Sequence, residues 1–180
     1  MKHLILLLLA FTVIVSCQRD EDALSKTEHS VEIQEPSNET ELRNTVQSIA
    51  ASWNTNDPTL FNSNTTADII RNTNGTRAAN NQKEYDSTNR QPFLNAFPNF
   101  NVAITDTEVV GNIVYTNWTV TGINTGEYRG HPATGKNIKL YGLSIWTFNE
   151  EGKAVQEDAY FDRLALYQQL GYKEVPALTE

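Results

Sequence analysis

Asp158 and Asp162 end the last long apolar stretch of this sequence, and their carboxylates are the side chains best suited to acid/base chemistry. In an extended chain Gln156, Asp158, Tyr160 and Asp162 share one face. If that face lines a cavity, two carboxylates converge there, and desolvation with mutual repulsion raises proton affinity towards that of a general base. If it is solvated, Asp158 is a surface charge, and Asp162, placed just ahead of a helical stretch, serves as that helix's N-cap. His131 lies in a glycine-bearing connection near a pocket mouth and could exchange a proton with a ligand; the plainer reading is a solvated loop histidine. Trp53, Trp118, Tyr141, Trp146 and Tyr160 could wall a pocket for a flat or polycyclic molecule, or simply fill a core. His3 and His29 fall in segments that carry no site.

Cys17 is the only cysteine, which excludes disulfides and cysteine-based metal sites. It follows Lys2, His3 and the apolar run Leu4 to Val15, which is too short for a permanent span and of the size of a signal-peptide core. Ile14-Val15-Ser16-Cys17 resembles a bacterial lipobox, in which the chain is cut before the cysteine and the new N-terminus carries lipid. Each buried methylene of such a lipid contributes about 0.8 kcal/mol, so several acyl chains anchor firmly. The alternative is a thiol that happens to sit in an ordinary signal peptide. The resemblance implies residence in the bacterial cell envelope, lipid-anchored at the outer membrane. The acidic run Asp20-Glu21-Asp22 resembles the signal that sends Bacteroidetes lipoproteins to the cell surface, or is merely part of a solvated tether.

Four segments are expected: a signal peptide over 1–16, an acidic tether over 17–38, one domain over 39–173 and a tail over 174–180. The formal net charge of -8, with Lys and Arg scattered, argues against nucleic acid as a partner. Leu42, Val46, Ile49, Ala50 and Trp53 predict a helix over Glu41 to Trp53, opened by a capping box of Asn38 and Glu41. Asp57-Pro58 predicts the start of a short second helix. Between Asn62 and Asn81 only Ala67 to Ile70 is apolar enough for a short strand, followed by a loop. A third helix is expected over Gln82 to Phe97, with Pro92 beginning a turn of it or kinking it. Period-two patterning then predicts strands at Val102 to Ile104, Val109 to Thr121, Asn137 to Phe148 and Ala154 to Phe161, with hairpins at Gly111-Asn112 and Glu151-Gly152. A last helix follows over Arg163 to Leu170, between Asp162 and Gly171.

Gly122, Thr125-Gly126-Glu127, Gly130, Pro132, Thr134-Gly135-Lys136, Gly142, Phe148, Gly152-Lys153, Asp162 and Gln169-Leu170-Gly171 stand in an order that resembles the SnoaL-like polyketide cyclases, or ester cyclases, of the nuclear transport factor two-like superfamily. Ser52-Trp53-Asn54 and Asp57 add to the resemblance, which covers about Glu41 to Gly171. It implies an α+β cone, with N-terminal helices packed on a curved antiparallel sheet and a short C-terminal helix. It also implies a pocket for a small apolar or polycyclic molecule and cofactor-independent, cyclase- or isomerase-like acid/base chemistry. Such chemistry requires a base, a donor for the developing enolate and a dry pocket, and no metal. Relatives pair an aspartate late in the last long strand with a histidine on the neighbouring strand. The expected catalytic groups here are Asp162 or Asp158, aided by His131, while the Asn137 to Phe148 strand has no histidine, which favours the non-catalytic alternative. A non-catalytic ligand-binding or protein-interaction module, with a homodimer formed through the sheet face, is the rival expectation.

Overall fold

The computed structural model describes residues 37–172, and the expected signal peptide, lipid site, most of the tether and the C-terminal tail lie outside them. Helix α1 (Ser37–Asn54) begins four residues before Glu41, and buries Leu42, Val46 and Ile49 along one stripe. Asp57 caps α2 (Pro58–Asn64), accepting the amides of Thr59 at 2.8 Å and Leu60 at 3.0 Å.

Strand β1 (Thr65–Thr73) turns through Asn74-Gly75 into β2 (Thr76–Ala79), so the segment expected to be one short strand and a loop is a hairpin. Asn74 and Gly75 have φ of 50° and 80°, the positive pair that a tight hairpin turn demands. The expected third helix is three pieces, α3 (Gln82–Tyr85), a π-helical turn (Asp86–Arg90) and α4 (Gln91–Ala96). Pro92 has no amide to give the carbonyl four residues back, and the chain widens just before it, the Gln91 amide reaching Asp86 O. The widened turn points Arg90 inward, where it pairs with Asp86, donates to Ser52 O at 2.9 Å and lies over the Trp53 and Phe61 rings. α4 is thereby tied to α1.

β3 (Asn101–Val110), β4 (Ile113–Ile123), β5 (Asn137–Phe148) and β6 (Ala154–Phe161) form the expected meander, and β3 is longer than expected, reaching the Gly111-Asn112 turn. α5 (Arg163–Leu170) is capped by Asp162, whose carboxylate accepts the Ala165 amide at 2.9 Å, and ends at Gly171 with φ of 76°. One six-stranded sheet results, in the order β2-β1-β6-β5-β4-β3, curved and unclosed. Every pairing is antiparallel except β1 with β6, which is parallel and sets Arg71 directly beside Glu157. The Gly122 to Lys136 connection is pinned by buried Asn124, which donates to Ala96 O at 3.2 Å and accepts the Thr134 amide at 2.8 Å.

Two clusters fill the space between sheet and helices. One gathers α1, Phe61, Ile69 and Tyr85; the other gathers Phe97, Tyr128, Leu140 and α5. Trp53 packs against both.

Candidate functional site

A pocket opens where the two clusters meet, with about 650 Å³ of free space counting its mouth. Val46, Ile49, Ala50 and Trp53 of α1 form one wall, and Phe93 and Phe100 close the α4 side. Trp118 of β4, Leu140 and Trp146 of β5, and Phe161 of β6 form the sheet wall. Among the described residues its only charged lining residues are Arg71 and Glu157, both buried.

Charge in an apolar wall is tolerable only when paired and hydrogen-bonded. Glu157 meets both conditions. Its Oε2 accepts from Arg71 Nη1 and from the Tyr85 hydroxyl, and its Oε1 accepts from Ser144 Oγ at 2.7 Å. Trp118 Nε1 donates to Ser144 Oγ at 3.0 Å, and Trp146 Nε1 donates to Thr116 Oγ1 at 3.2 Å. Arg71 also donates through Nη1 to the Tyr85 oxygen at 2.6 Å and through Nε to Thr73 Oγ1 at 3.3 Å. Among the described residues its Nη2 has no acceptor, which leaves two N–H groups for a ligand oxygen.

Burial pulls the proton affinity of Arg71 down, but the charge of Glu157 and the contact with Tyr85 outweigh it and leave the guanidinium above its ordinary value. Arg71 is therefore a permanent cation. Burial pushes the Tyr85 hydroxyl well above its ordinary 10.0, with Arg71 opposing and Glu157 adding to the rise. Tyr85 stays a neutral donor.

Gly142 makes room for this arrangement. It pairs with Trp118 on one side and Phe161 on the other, and a Cβ there would lie 2.2 Å from Trp118 Cζ2. Only a glycine lets the indole lie across β5, where its N–H reaches Ser144.

Of the residues expected from sequence, Trp53, Trp118 and Trp146 line the pocket. Tyr141 and Tyr160 do not; they are 65% and 41% exposed. Glu157 and Phe161 face the pocket, so the pleat turns Gln156, Asp158 and Tyr160 to the opposite face, and Asp162 lies just past the strand. Asp158 there accepts from Asn72 Nδ2 and Gln156 Nε2, both at 2.6 Å, and Asp162 caps α5. The two aspartates converge on nothing. His131 closes a turn with Tyr128, and its ring stacks on Tyr172 at 4.3 Å, away from the pocket lining.

Glu157, Arg71, Tyr85 and Ser144 were not singled out from sequence, although a signal exists for two of them. Val155, Glu157, Ala159 and Phe161 share a strand face, as do Ile69, Arg71 and Thr73. A lone charge amid apolar neighbours at every second position marks a buried ion. Among the described residues no three His, Cys, Asp or Glu side chains converge as a metal site would require.

The SnoaL-like polyketide cyclase family model matches residues 43–170, which is most of the chain and nearly all of the described domain. The chain belongs to the SnoaL-like polyketide cyclase family. Its fold is similar to that of a proposed SnoaL-like polyketide cyclase from Jannaschia sp. CCS1, with a TM-score of 0.71 and 19% identity over 78% of this chain and 98% of that one. AclR, a proposed hydroxylase from Streptomyces galilaeus, is similar at TM-score 0.66 and 21% identity, covering 77% and 87%. So is a LEH-like epoxide hydrolase of M. tuberculosis, at TM-score 0.58 and 16% identity, covering 73% and 90%. No curated protein matches the chain in sequence. Neighbours named for three different reactions share this fold, so the reaction must be argued from the site of each SnoaL-like chain.

Proposed function

We propose that this SnoaL-like protein binds a small, mainly apolar molecule carrying a carbonyl oxygen, and that Glu157 and Arg71 carry out cofactor-independent, cyclase- or isomerase-like proton transfer on it. The carrying observation is that, among the described residues, one buried ion pair supplies all the charge in a mainly apolar and aromatic pocket. A carbonyl seated against Arg71 Nη2 has its developing enolate charge met by a fixed cation set in a mainly apolar wall, which strengthens such stabilisation. A carbonyl oriented this way holds its α-carbon near Glu157, whose Oε1 takes the proton when Ser144 rotates its hydroxyl aside. Tyr85, held neutral, and Trp118, through Ser144, keep the carboxylate in place. Asp158, Asp162 and His131 have no part in this mechanism.

The second reading is a non-catalytic binding module, and one observation favours it. Both Glu157 oxygens already accept protein hydrogen bonds, so a contact must be given up before either can reach a substrate proton. Proton NMR of 2-acetylnaphthalene in D₂O with the purified chain separates the two readings. Accelerated exchange of the methyl protons, abolished by Glu157→Gln, is the outcome expected of the acid/base reading. Line broadening without exchange fits the binding module, and neither effect contradicts both.

The reading includes a lipid anchor on Cys17 that holds the protein in the bacterial cell envelope, at the outer membrane or on the cell surface. Cys17→Ser should abolish labelling by a radioactive fatty acid, and persistent labelling would refute the anchor. The outer sheet face, with Tyr141 65% exposed, is where a second copy would pair.

A further inference from the structure

A second recess of about 420 Å³, again counting its mouth, adjoins the apolar pocket, and the two share Arg71, Phe93 and Phe161 in their walls. Its character is different. Arg129 and Arg163 join Arg71 in its lining, and among the described residues no aspartate or glutamate does. In a chain of net charge -8, that is a local reversal of sign. Neither Arg129 nor Arg163 has a carboxylate partner among the described residues, and the nearby Asp162 carboxylate is turned to the Ala165 amide.

Backbone preference favours neither arginine at its position. Tyr128 and His131 exchange backbone hydrogen bonds of 2.9 and 3.1 Å across a two-residue turn, in which Arg129 and Gly130 have φ of 51° and 81°. Turns with positive φ at both positions favour Asn, Asp or Gly at the first, so Arg129 holds a backbone conformation that its side chain disfavours. Its guanidinium lies 5.8 Å from the ring of buried Tyr128 and also meets the Tyr128 hydroxyl, which leaves the rest of its fork turned to the recess. Arg163 is the first residue of α5, where the helix dipole disfavours a cation. Two residues kept against local preference, both lining a recess without acid, point to a demand from outside the chain.

We infer that this recess is an anion subsite, and that the ligand of the adjoining pocket is an apolar body bearing one anionic group of the carboxylate type. Arg129 and Arg163 receive that group at the rim, and Arg71 joins the two chambers, its charge shared between Glu157 and the ligand. The inference rests on the proposed use of the apolar pocket and extends it from any apolar carbonyl compound to an acidic one.

The probes are 4-(2-naphthyl)butyrate and the corresponding neutral amide, titrated calorimetrically into the full chain and into Arg129→Asn/Arg163→Gln. Asparagine suits the turn and glutamine removes a cation from a helix start, which offsets the lost contact of Arg129 with Tyr128, so the variant should still fold, as its melting curve checks. The parent should bind the carboxylate about tenfold more tightly than the amide, as charged hydrogen bonds allow, and the variant should bring the two within about twofold. Equal binding of both probes by the parent overturns the anion subsite while leaving the apolar pocket intact, as does a carboxylate preference that survives in the variant. Binding of neither probe overturns the pocket reading and the subsite with it.

Discussion

Glu157 and Asp158 are neighbours on β6, yet the pleat sends one carboxylate into the apolar pocket and the other onto the opposite face of the sheet. Glu157 is buried against a cation and two hydroxyl donors, while Asp158 is half-buried among amides from Asn72 and Gln156. The same functional group therefore has two energetic meanings. Water and neighbouring amides can replace one another around Asp158, whereas nothing replaces Arg71 or Ser144 around Glu157. A site on this sheet is built where a charge depends on its partners, which is the pocket face.

The comparison breaks first at the ion pair. Glu157→Leu leaves Arg71 buried without its counter-charge and should destabilise the domain by about 3–5 kcal/mol in urea denaturation, against less than about 1 kcal/mol for Asp158→Asn. Equal losses would dissolve the distinction between the faces. Replacing both partners, as Arg71→Met with Glu157→Leu, should recover most of the stability and none of the carbonyl binding, since an apolar pair of similar volume suits the wall.

A smaller effect is expected at Gly142. Gly142→Ala places a methyl against Trp118 and should cost about 1–3 kcal/mol, with a shift in tryptophan emission as the indole leaves Ser144. Tyr141→Ala, one residue away on the exposed face, should change stability by about 0.5 kcal/mol or less.

The smallest effect is one of pH. Tyr85 has its folded proton affinity raised well above the ordinary 10.0 by burial, so the unfolded chain ionises first. Its contribution is complete below pH 10.0 and is lost progressively as pH rises beyond that value. Tyr85→Phe should flatten that part of the alkaline stability curve. An unchanged slope would mean that the hydroxyl is not held in the buried cluster.

Much of the fold is legible because its signals are local. Asp57-Pro58, Asp162 with Gly171, and the turns at Gly111-Asn112 and Glu151-Gly152 each act within a few residues, and the structure uses them as the sequence suggests. Asn74-Gly75 carries an equally local hairpin signal, but the polar Asn and Thr around it hide strands whose burial comes from α3 and β6. The site is harder to read. Arg71 and Glu157 lie 86 residues apart in sequence and meet only through the parallel pairing of β1 with β6. Val155, Ala159 and Phe161 mark the Glu157 face of β6 as apolar, but that this face meets the pocket is fixed only by the register with β5. The π-helical turn before Pro92 that points Arg90 inward has no comparable signature in the residues around it.

The central claim is that the pocket face of the sheet holds the ligand through Arg71. Ala50 lines that pocket on α1, and Ala50→Phe fills it without touching the ion pair. Calorimetric titration of 2-acetylnaphthalene should give saturable binding to the parent chain and to Tyr141→Ala, and none to Ala50→Phe. Undiminished binding by Ala50→Phe, or its loss in Tyr141→Ala alone, would place the ligand elsewhere and contradict the account.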